Sequence, residues 1–346
     1  MSIALDIGVS RIRSLRRNAE GLVFRRVRPV YAVLPDSDSY RDMLARMPVP
    51  YAICDDALLM FGEPAADFSR LFQTPFVDLL PDGKIPDDDP PARQLLAAMI
   101  EALLPEPNTP NELCCLTLPG NPDTFAARRA RRLTLLTHLV SLRGYTPLVI
   151  SSARALILAE LVAESFTGIG LVFGAGSCDI SICRQGQEIA HCCVPRGGNW
   201  IDEQMALRFQ DYSWDSAGNR YLDIDGITCW KESLDRSRAV PQTEREMFLA
   251  KLNDQLIDRV LSEVARLCVD EAVASEVGRP IGVIADGGPL LGPGTADRLR
   301  RAVRKTEFPF DIGAVRTLAD SDETIVRGCL INAELEDQSS DRLRAA

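Results

Sequence analysis

Three glycine turns carry most of the chemistry this chain can be read for. Gly174-Ala175-Gly176-Ser177 separates two apolar, β-prone runs, Leu171–Phe173 and Ile180–Cys183. Gly197-Gly198-Asn199 then precedes an amphipathic helix opening near Ile201. Glycine at a hairpin tip lets backbone N–H groups approach an anion closely, because no Cβ stands in the way. The layout suits a phosphate clamp, but it is neither the Walker nor the Rossmann one, since GKS, GKT and strand–GxGxxG–helix are all absent. On this pattern alone, a phosphate clamp and a purely structural hairpin stand level. Two more segments bear on the choice. The chain opens with a strand ending in Asp6-Ile7-Gly8, which continues through Val9 and Ser10 into a second strand carrying Arg13. Far downstream, the buried-type strand Ile281–Ala285 runs into Asp286-Gly287-Gly288-Pro289.

The elements that must position these turns follow from periodicity and punctuation. Ile3–Ile7, Ile12–Arg16 and Leu22–Arg28 alternate as strands, Asp36–Met47 reads as a helix, and Tyr51–Cys54 returns as a strand. A helix is expected over Asp55–Phe68 and another over Ala92–Leu104, after the proline-rich stretch Pro86–Pro91. Leu113–Leu118 is a buried strand. A long helix then runs from about Thr124 to Arg143 and stops at Gly144, a natural C-cap. Leu148–Ile150 and Ala153–Glu164 close the first half as strand and helix. The second half brings the glycine hairpin, a helix, a small insertion, a long helix over Met247–Glu271, a strand over Pro280–Ala285 and a terminal helix.

Composition sets limits. The 346 residues suffice for two domains with real cores, and the 46% hydrophobic and 25% charged content is that of an ordinary globular protein. A net charge of −10 argues against a general binder of nucleic acid or anionic membrane. Basic residues cluster only locally, at Arg11, Arg13, Arg16 and Arg17, at Arg25–Arg28 and at Arg128–Arg132. Cys114-Cys115 and Cys192-Cys193 lie in apolar runs, where a free thiol behaves as a small hydrophobe. With no signal-peptide-like stretch, no CxxC pair and only two histidines, a reduced cytoplasmic protein without a zinc site is expected.

Taken in order and at these separations, the turns at Asp6–Gly8, Gly174–Asp179 and Asp286–Gly288 resemble the phosphate-1, phosphate-2 and adenosine motifs of the actin-like ATPase superfamily. Leu79-Leu80-Pro81-Asp82-Gly83-Lys84-Ile85 is similar to the PL-x-DG-x-I turn of its bacterial MreB and MamK members. Leu116–Pro119 resembles their strand ending in a VP turn, and Ile325–Cys329 their final A-x-RGA helix. The likeness covers residues 2–333. One such turn is a weak signal, but six in the right order are a strong one.

The resemblance implies an α/β protein with a duplicated actin-like fold, two ribonuclease-H-like halves around a nucleotide cleft. Domain I would span 1–150 with an insertion at about 30–80. Domain II would span 151–336 with a reduced insertion at about 233–246, and 337–346 would be a flexible tail. It further implies ATP or ADP with Mg2+, contacted by Asp6, Gly8, Ser10, Arg13, Gly174, Ala175, Gly176, Ser177, Gly197, Gly198, Lys231, Glu232, Gly287 and Gly288. Asp6 would hold Mg2+ through water. Arg13 falls where actin carries a phosphate-contacting lysine, and its guanidinium could take over part of a metal's work; an exposed arginine on an alternating strand is the bland alternative. Lys231-Glu232 likewise reads as a ribose and adenine contact or as an ordinary helix surface.

The departures concern the catalytic carboxylates. Val9 replaces a hydroxyl residue, Val172 replaces the second acidic anchor, and Ser152 stands at the position of the water-orienting glutamate. The resemblance therefore implies cytoplasmic filaments built by head-to-tail self-association, with nucleotide binding retained at a weakened site and hydrolysis slow or lost. A non-polymerising adaptor that binds a protein partner is the alternative, and a small-molecule kinase a weaker third. The polar loop Pro105–Pro110 speaks against direct membrane insertion there.

Overall fold

Each half of the chain is organised by one strand covered on both faces. In the computed structural model, β1 (Ile3–Ile7) is buried at every position, with Asp6 the one polar residue among Ile3, Ala4, Leu5 and Ile7. A near-continuous apolar run is what a central, doubly covered strand requires. The structure describes residues 2–47, 49–54, 56–72, 76–84, 89–120, 126–215, 218–269, 273, 280–318 and 322–345. Ile85, Pro86–Asp88, Thr124, Glu271 and the side chains of Arg128 and Arg129, all used in the sequence reading, lie outside the described residues.

β1 turns back into β2 (Ile12–Asn18), which pairs with β3 (Gly21–Val27). The chain then builds a separate four-stranded sheet from β4 (Val30–Pro35), β5 (Tyr51–Cys54), β6 (Ala57–Phe61) and β7 (Val77–Asp78), in the order β5-β6-β4-β7. Helices α1 (Asp38–Arg46) and α2 (Glu63–Phe72) accompany it. The helix expected over Asp55–Phe68 is thus half wrong. Ala57-Leu58-Leu59-Met60-Phe61 is ambiguous between buried strand and helix by pattern, and pairing with both β4 and β5 decides for strand.

Asp89 caps α3 (Pro90–Leu103) by accepting the Ala92 amide at 3.0 Å, with two prolines in the first turn. β8 (Leu113–Thr117), α4 (Ala126–Leu142) and β9 (Thr146–Val149) complete a sheet of order β3-β2-β1-β8-β9. The second half repeats the plan. After α5 (Ser152–Glu160) come β10 (Gly168–Phe173), β11 (Cys178–Arg184) and β12 (Gln187–Val194). Then follow α6 (Gly198–Phe209), the hairpin β13 (Tyr212–Trp214) and β14 (Arg220–Leu222), α7 (Ile224–Glu232) and α8 (Glu244–Cys268). β15 (Ile281–Asp286), α9 (Thr295–Lys305) and β16 (Ile312–Thr317) close a sheet of order β12-β11-β10-β15-β16. Strand for strand, the two orders are the same.

Between the sheets lie α5 and the terminal helix α10 (Thr324–Ala345). Leu156, Ile157 and Leu158 pack with Val326, Cys329 and Leu330 in a core that also takes Ala4, Leu15 and Cys115 from the first sheet and Ile284 from the second. The terminal helix therefore belongs to a core shared by both halves rather than to residues 151–336 alone. Residues 337–345, expected as a flexible tail, continue that helix; they contain neither glycine nor proline to stop it. Separate cores fill the outer side of each sheet, built on α3 and α4 in one half and on α6 and α8 in the other.

Candidate nucleotide cleft

The side-chain period of two fixes the geometry of the site before any ligand is considered. On β1, Ala4 and Asp6 face the shared core; on β2, Arg13 and Leu15 do; on β8, Cys115 and Thr117 do. Register sets Thr117, Asp6 and Arg13 side by side across three strands. Thr117 donates its hydroxyl to Asp6 Oδ1 at 2.6 Å, and Arg13 Nη1 donates to Asp6 Oδ2 at 2.9 Å. The equivalent row of the second half is Asp286, Val172 and Asp179, so the position matching Asp6 carries no carboxylate. Asp179 is nevertheless engaged: Oδ1 lies 2.7 Å from His191 Nε2, and Oδ2 accepts the Ala153 amide at 3.1 Å.

Both rows end in matching turns. Gly8 N–H donates to Arg11 O and Gly174 N–H to Ser177 O, each at 3.0 Å. No described residue accepts from the amides of Val9, Ser10, Ala175, Gly176 or Ser177. These are the groups a phosphate would use. Gly197 and Gly198 do something else. Gly198 and Asn199 spend their amides on Gly174 O and Ala175 O, at 2.9 and 2.8 Å, so these two amides brace the hairpin tip. A Cβ on Gly197 would lie 2.4 Å from Gly174 O, which explains the glycine there. Gly287 plays the corresponding part in the third turn. Its φ of +128° suits glycine alone, and a Cβ would lie 2.0 Å from Phe173 O.

A cleft of about 310 Å³ runs between the two sheets, within the range of small-ligand sites. It is lined by Asp6, Gly8, Ser10, Arg13, Ser152, Gly174–Ser177, Gly198, Lys231, Glu232, Gly287 and Gly288. All the sequence-derived candidates except Gly197 thus meet on one cavity. Ser152 reaches it from the first turn of α5, next to the cap Ser151, whose hydroxyl accepts the Arg154 amide at 3.0 Å. Lys231 is ion-paired with the buried Asp202, which also accepts from Thr228 Oγ1 at 2.9 Å. Burial pushes the Asp202 carboxyl up, and Lys231 pulls it part of the way back.

Several lining residues escaped the sequence reading. Asp322, just ahead of α10, accepts from Arg13 Nε at 3.2 Å and Arg13 Nη2 at 3.0 Å, and is ion-paired with Arg26. Burial works against the Arg13 charge, but Asp6 and Asp322 outweigh it and hold its pKa above the ordinary value. Asn253, on α8, is buried and lines the cleft with Oδ1 unpaired among the described residues. Arg28, just past β3, bonds Asp225 of α7 at 3.0 Å and so ties one half directly to the other. The PL-x-DG turn earns its place by contact: Gly83 lies against Gly120 O and Val9 Cγ2, and its carbonyl accepts from Arg132 Nη1 at 2.7 Å.

A metal is a different matter. Asp6, expected to hold Mg2+ through water, has both oxygens engaged, and a guanidinium already stands beside it. Among the described residues no three metal-ligating side chains come together. The site fits the phosphates of a nucleotide but not a divalent cation held by Asp6.

A sequence profile of one family matches the chain over residues 1–333. The chain belongs to the Volactin family. Its fold is that of the actin-like ATPases. The volactin-family chain aligns with MamK of a double helical filament at TM-score 0.68 and 18% identity, covering 96% of this chain and 99% of that one. It aligns with MreB5 of Spiroplasma citri bound to AMPPNP at TM-score 0.67 and 14% identity, covering 98% of each chain. The ethanolamine utilization protein EutJ of Carboxydothermus hydrogenoformans follows at TM-score 0.52 and 14% identity, with 95% and 88% covered. No functionally curated protein matches this volactin-family sequence. Among the described residues no helix is long and apolar enough to cross a membrane.

Proposed function

We propose that this volactin-family chain is a cytoplasmic filament protein that binds ATP or ADP between its two sheets and hydrolyses it slowly or not at all. The observation that carries the reading is the pair of matched turns whose amides of Val9, Ser10, Ala175, Gly176 and Ser177 have no acceptor among the described residues and line one cleft with Arg13. Binding needs donors placed in advance, and these are. Hydrolysis needs a group to orient the attacking water, and Ser152 is a weak substitute for a carboxylate. The similarity to MamK of a double helical filament supports head-to-tail self-association, a heterologous contact that does not close on itself. Filament turnover would then follow protein concentration and partner proteins more than phosphate release.

The adaptor reading keeps one observation in its favour. Between α7 and α8 the chain offers only the loop 233–243, so the second half projects little surface beside the cleft for a longitudinal contact. A sedimentation assay read by electron microscopy, with no nucleotide, ATP or ADP, separates the two. The proposal expects pelletable filaments, with ATP and ADP giving similar yields. A monodisperse monomer in every condition at high concentration overturns it in favour of the adaptor, and filaments formed with ATP and lost as phosphate is released overturn the slow-hydrolysis part.

A further inference from the structure

We propose that this cleft takes a nucleotide's phosphates without a divalent metal, using Arg13 as its resident cation. The inference rests on the nucleotide reading above and goes beyond it. Divalent cations in phosphate sites are bound by carboxylate oxygens that stay available to the ion or its waters. Here the carboxylate at the first phosphate turn is committed. Asp6 gives one oxygen to Thr117 and the other to Arg13. Val172 stands where the second half would supply the matching carboxylate. Asp286, beside it in register, is engaged within the protein although its buried Oδ1 accepts no hydrogen bond from a described residue, Asp179 serves His191 and the Ala153 amide, and Asp202 serves Lys231 and Thr228; Glu232 lines the cleft as an exposed side chain.

Arg13 is also fixed in place. Three of its five guanidinium N–H groups are used, one on Asp6 and two on Asp322, so it is gripped by carboxylates on two sides. Two N–H groups remain, one on each terminal nitrogen. Nη1 lies 3.9 Å from where a Cβ on Gly8 would stand, at the turn whose amides are unengaged. The quartet Asp6, Asp322, Arg13 and Arg26 is neutral by itself, so nothing in it calls for an added cation. A phosphate reaching the turns would meet a planar, charged donor already in position. A divalent ion carried in on the phosphates would be pushed against that same guanidinium. The absence of a carboxylate at Val172 and the presence of Arg13 then have one explanation: the site uses a covalently attached cation in place of a mobile one.

Calorimetric titration of the full chain with ATP, once in EDTA and once in millimolar MgCl2, tests this. The expected affinity in EDTA equals or exceeds that in Mg2+. Binding at least tenfold tighter with Mg2+ overturns the proposal and leaves the nucleotide reading standing. No binding in either buffer overturns both. Arg13→Gln should lower affinity in EDTA by about tenfold to a hundredfold, the worth of a charge-assisted hydrogen-bonding group. It should lose less in Mg2+, because Asp6 is then open to the ion; an equal loss in both buffers counts against the proposal. If that variant does not fold, as judged by circular dichroism, the wild-type chain with Mn2+ and ATP decides by electron paramagnetic resonance. Manganese held by the protein–ATP complex no more tightly than by ATP alone is the expected result, and a new tightly bound manganese population overturns the idea.

Discussion

Asp322→Asn removes one charge and almost no volume from the centre of the cleft's polar network. Asp322 accepts two hydrogen bonds from Arg13 and pairs with Arg26, and it is one-third exposed. A charge-assisted hydrogen bond is worth about 1.5–3 kcal/mol when buried and a surface pair about 0–1 kcal/mol. With Arg13 still held by Asp6, the variant should lose about 2 kcal/mol of stability. Unfolding entropy for a chain of this length is roughly 0.7 kcal/mol per kelvin, so the melting temperature should fall by about 3 °C. Burial alone would raise the Asp322 carboxyl, but Arg13 and Arg26 hold it below the usual range. A carboxylate depressed in the folded state stabilises above its unfolded pKa of about 3.9, and that contribution is lost as pH falls through the folded value. Urea titrations of wild type and variant should therefore differ fully at pH 7 and pH 5 and converge toward pH 3. Nucleotide affinity should hold or rise, since Arg13 gains free N–H groups. A difference under about 0.5 kcal/mol at pH 7, the level expected of an ordinary surface change, would refute the network as a structural element.

Three further perturbations probe the same geometry. Val172→Asp places a second carboxylate beside Asp286 and should cost about 2–4 kcal/mol; millimolar Mg2+ should raise the melting temperature of its ATP complex but not that of wild type. Gly287→Ala combines a forbidden φ with a clash on Phe173 O and should cost about 3 kcal/mol or more, read as insoluble expression or a lowered midpoint in urea. Arg28→Ala and Asp225→Ala should each speed amide exchange across α7, and the double variant should be no worse than the single ones, the signature of one shared contact.

How much of this was legible in the sequence depends on whether the signal is local. The strands ending in Asp6-Ile7-Gly8 and Asp286-Gly287 and the hairpin tip at Gly174–Ser177 announce themselves, because apolar runs and glycine turns are written in consecutive residues. Their convergence on one cleft follows from the duplicated strand order, which the resemblance implied and the two sheets display. Asp322 carries no such mark. It stands just ahead of a helix, and only the packing of α10 between the sheets brings it to Arg13 across 309 residues of separation. Thr117 and Asn253 were equally silent, one an ordinary strand residue and the other a polar position on a long amphipathic helix. Gly197-Gly198 was legible as a glycine pair but its bracing contacts to Gly174 O and Ala175 O were not, since bracing a hairpin and binding an anion both require the same absence of Cβ. Ala57–Phe61 was misread because five consecutive apolar residues fit strand and helix alike until a sheet partner is known.

A crystal structure of the full chain grown with ATP in EDTA tests the central claim most directly. The account predicts phosphate density within hydrogen-bonding distance of the Ala175 and Gly176 amides and of Arg13, with no metal density between Asp6 and the phosphates. Nucleotide bound away from the two turns, or an empty cleft at saturating ATP, would contradict it.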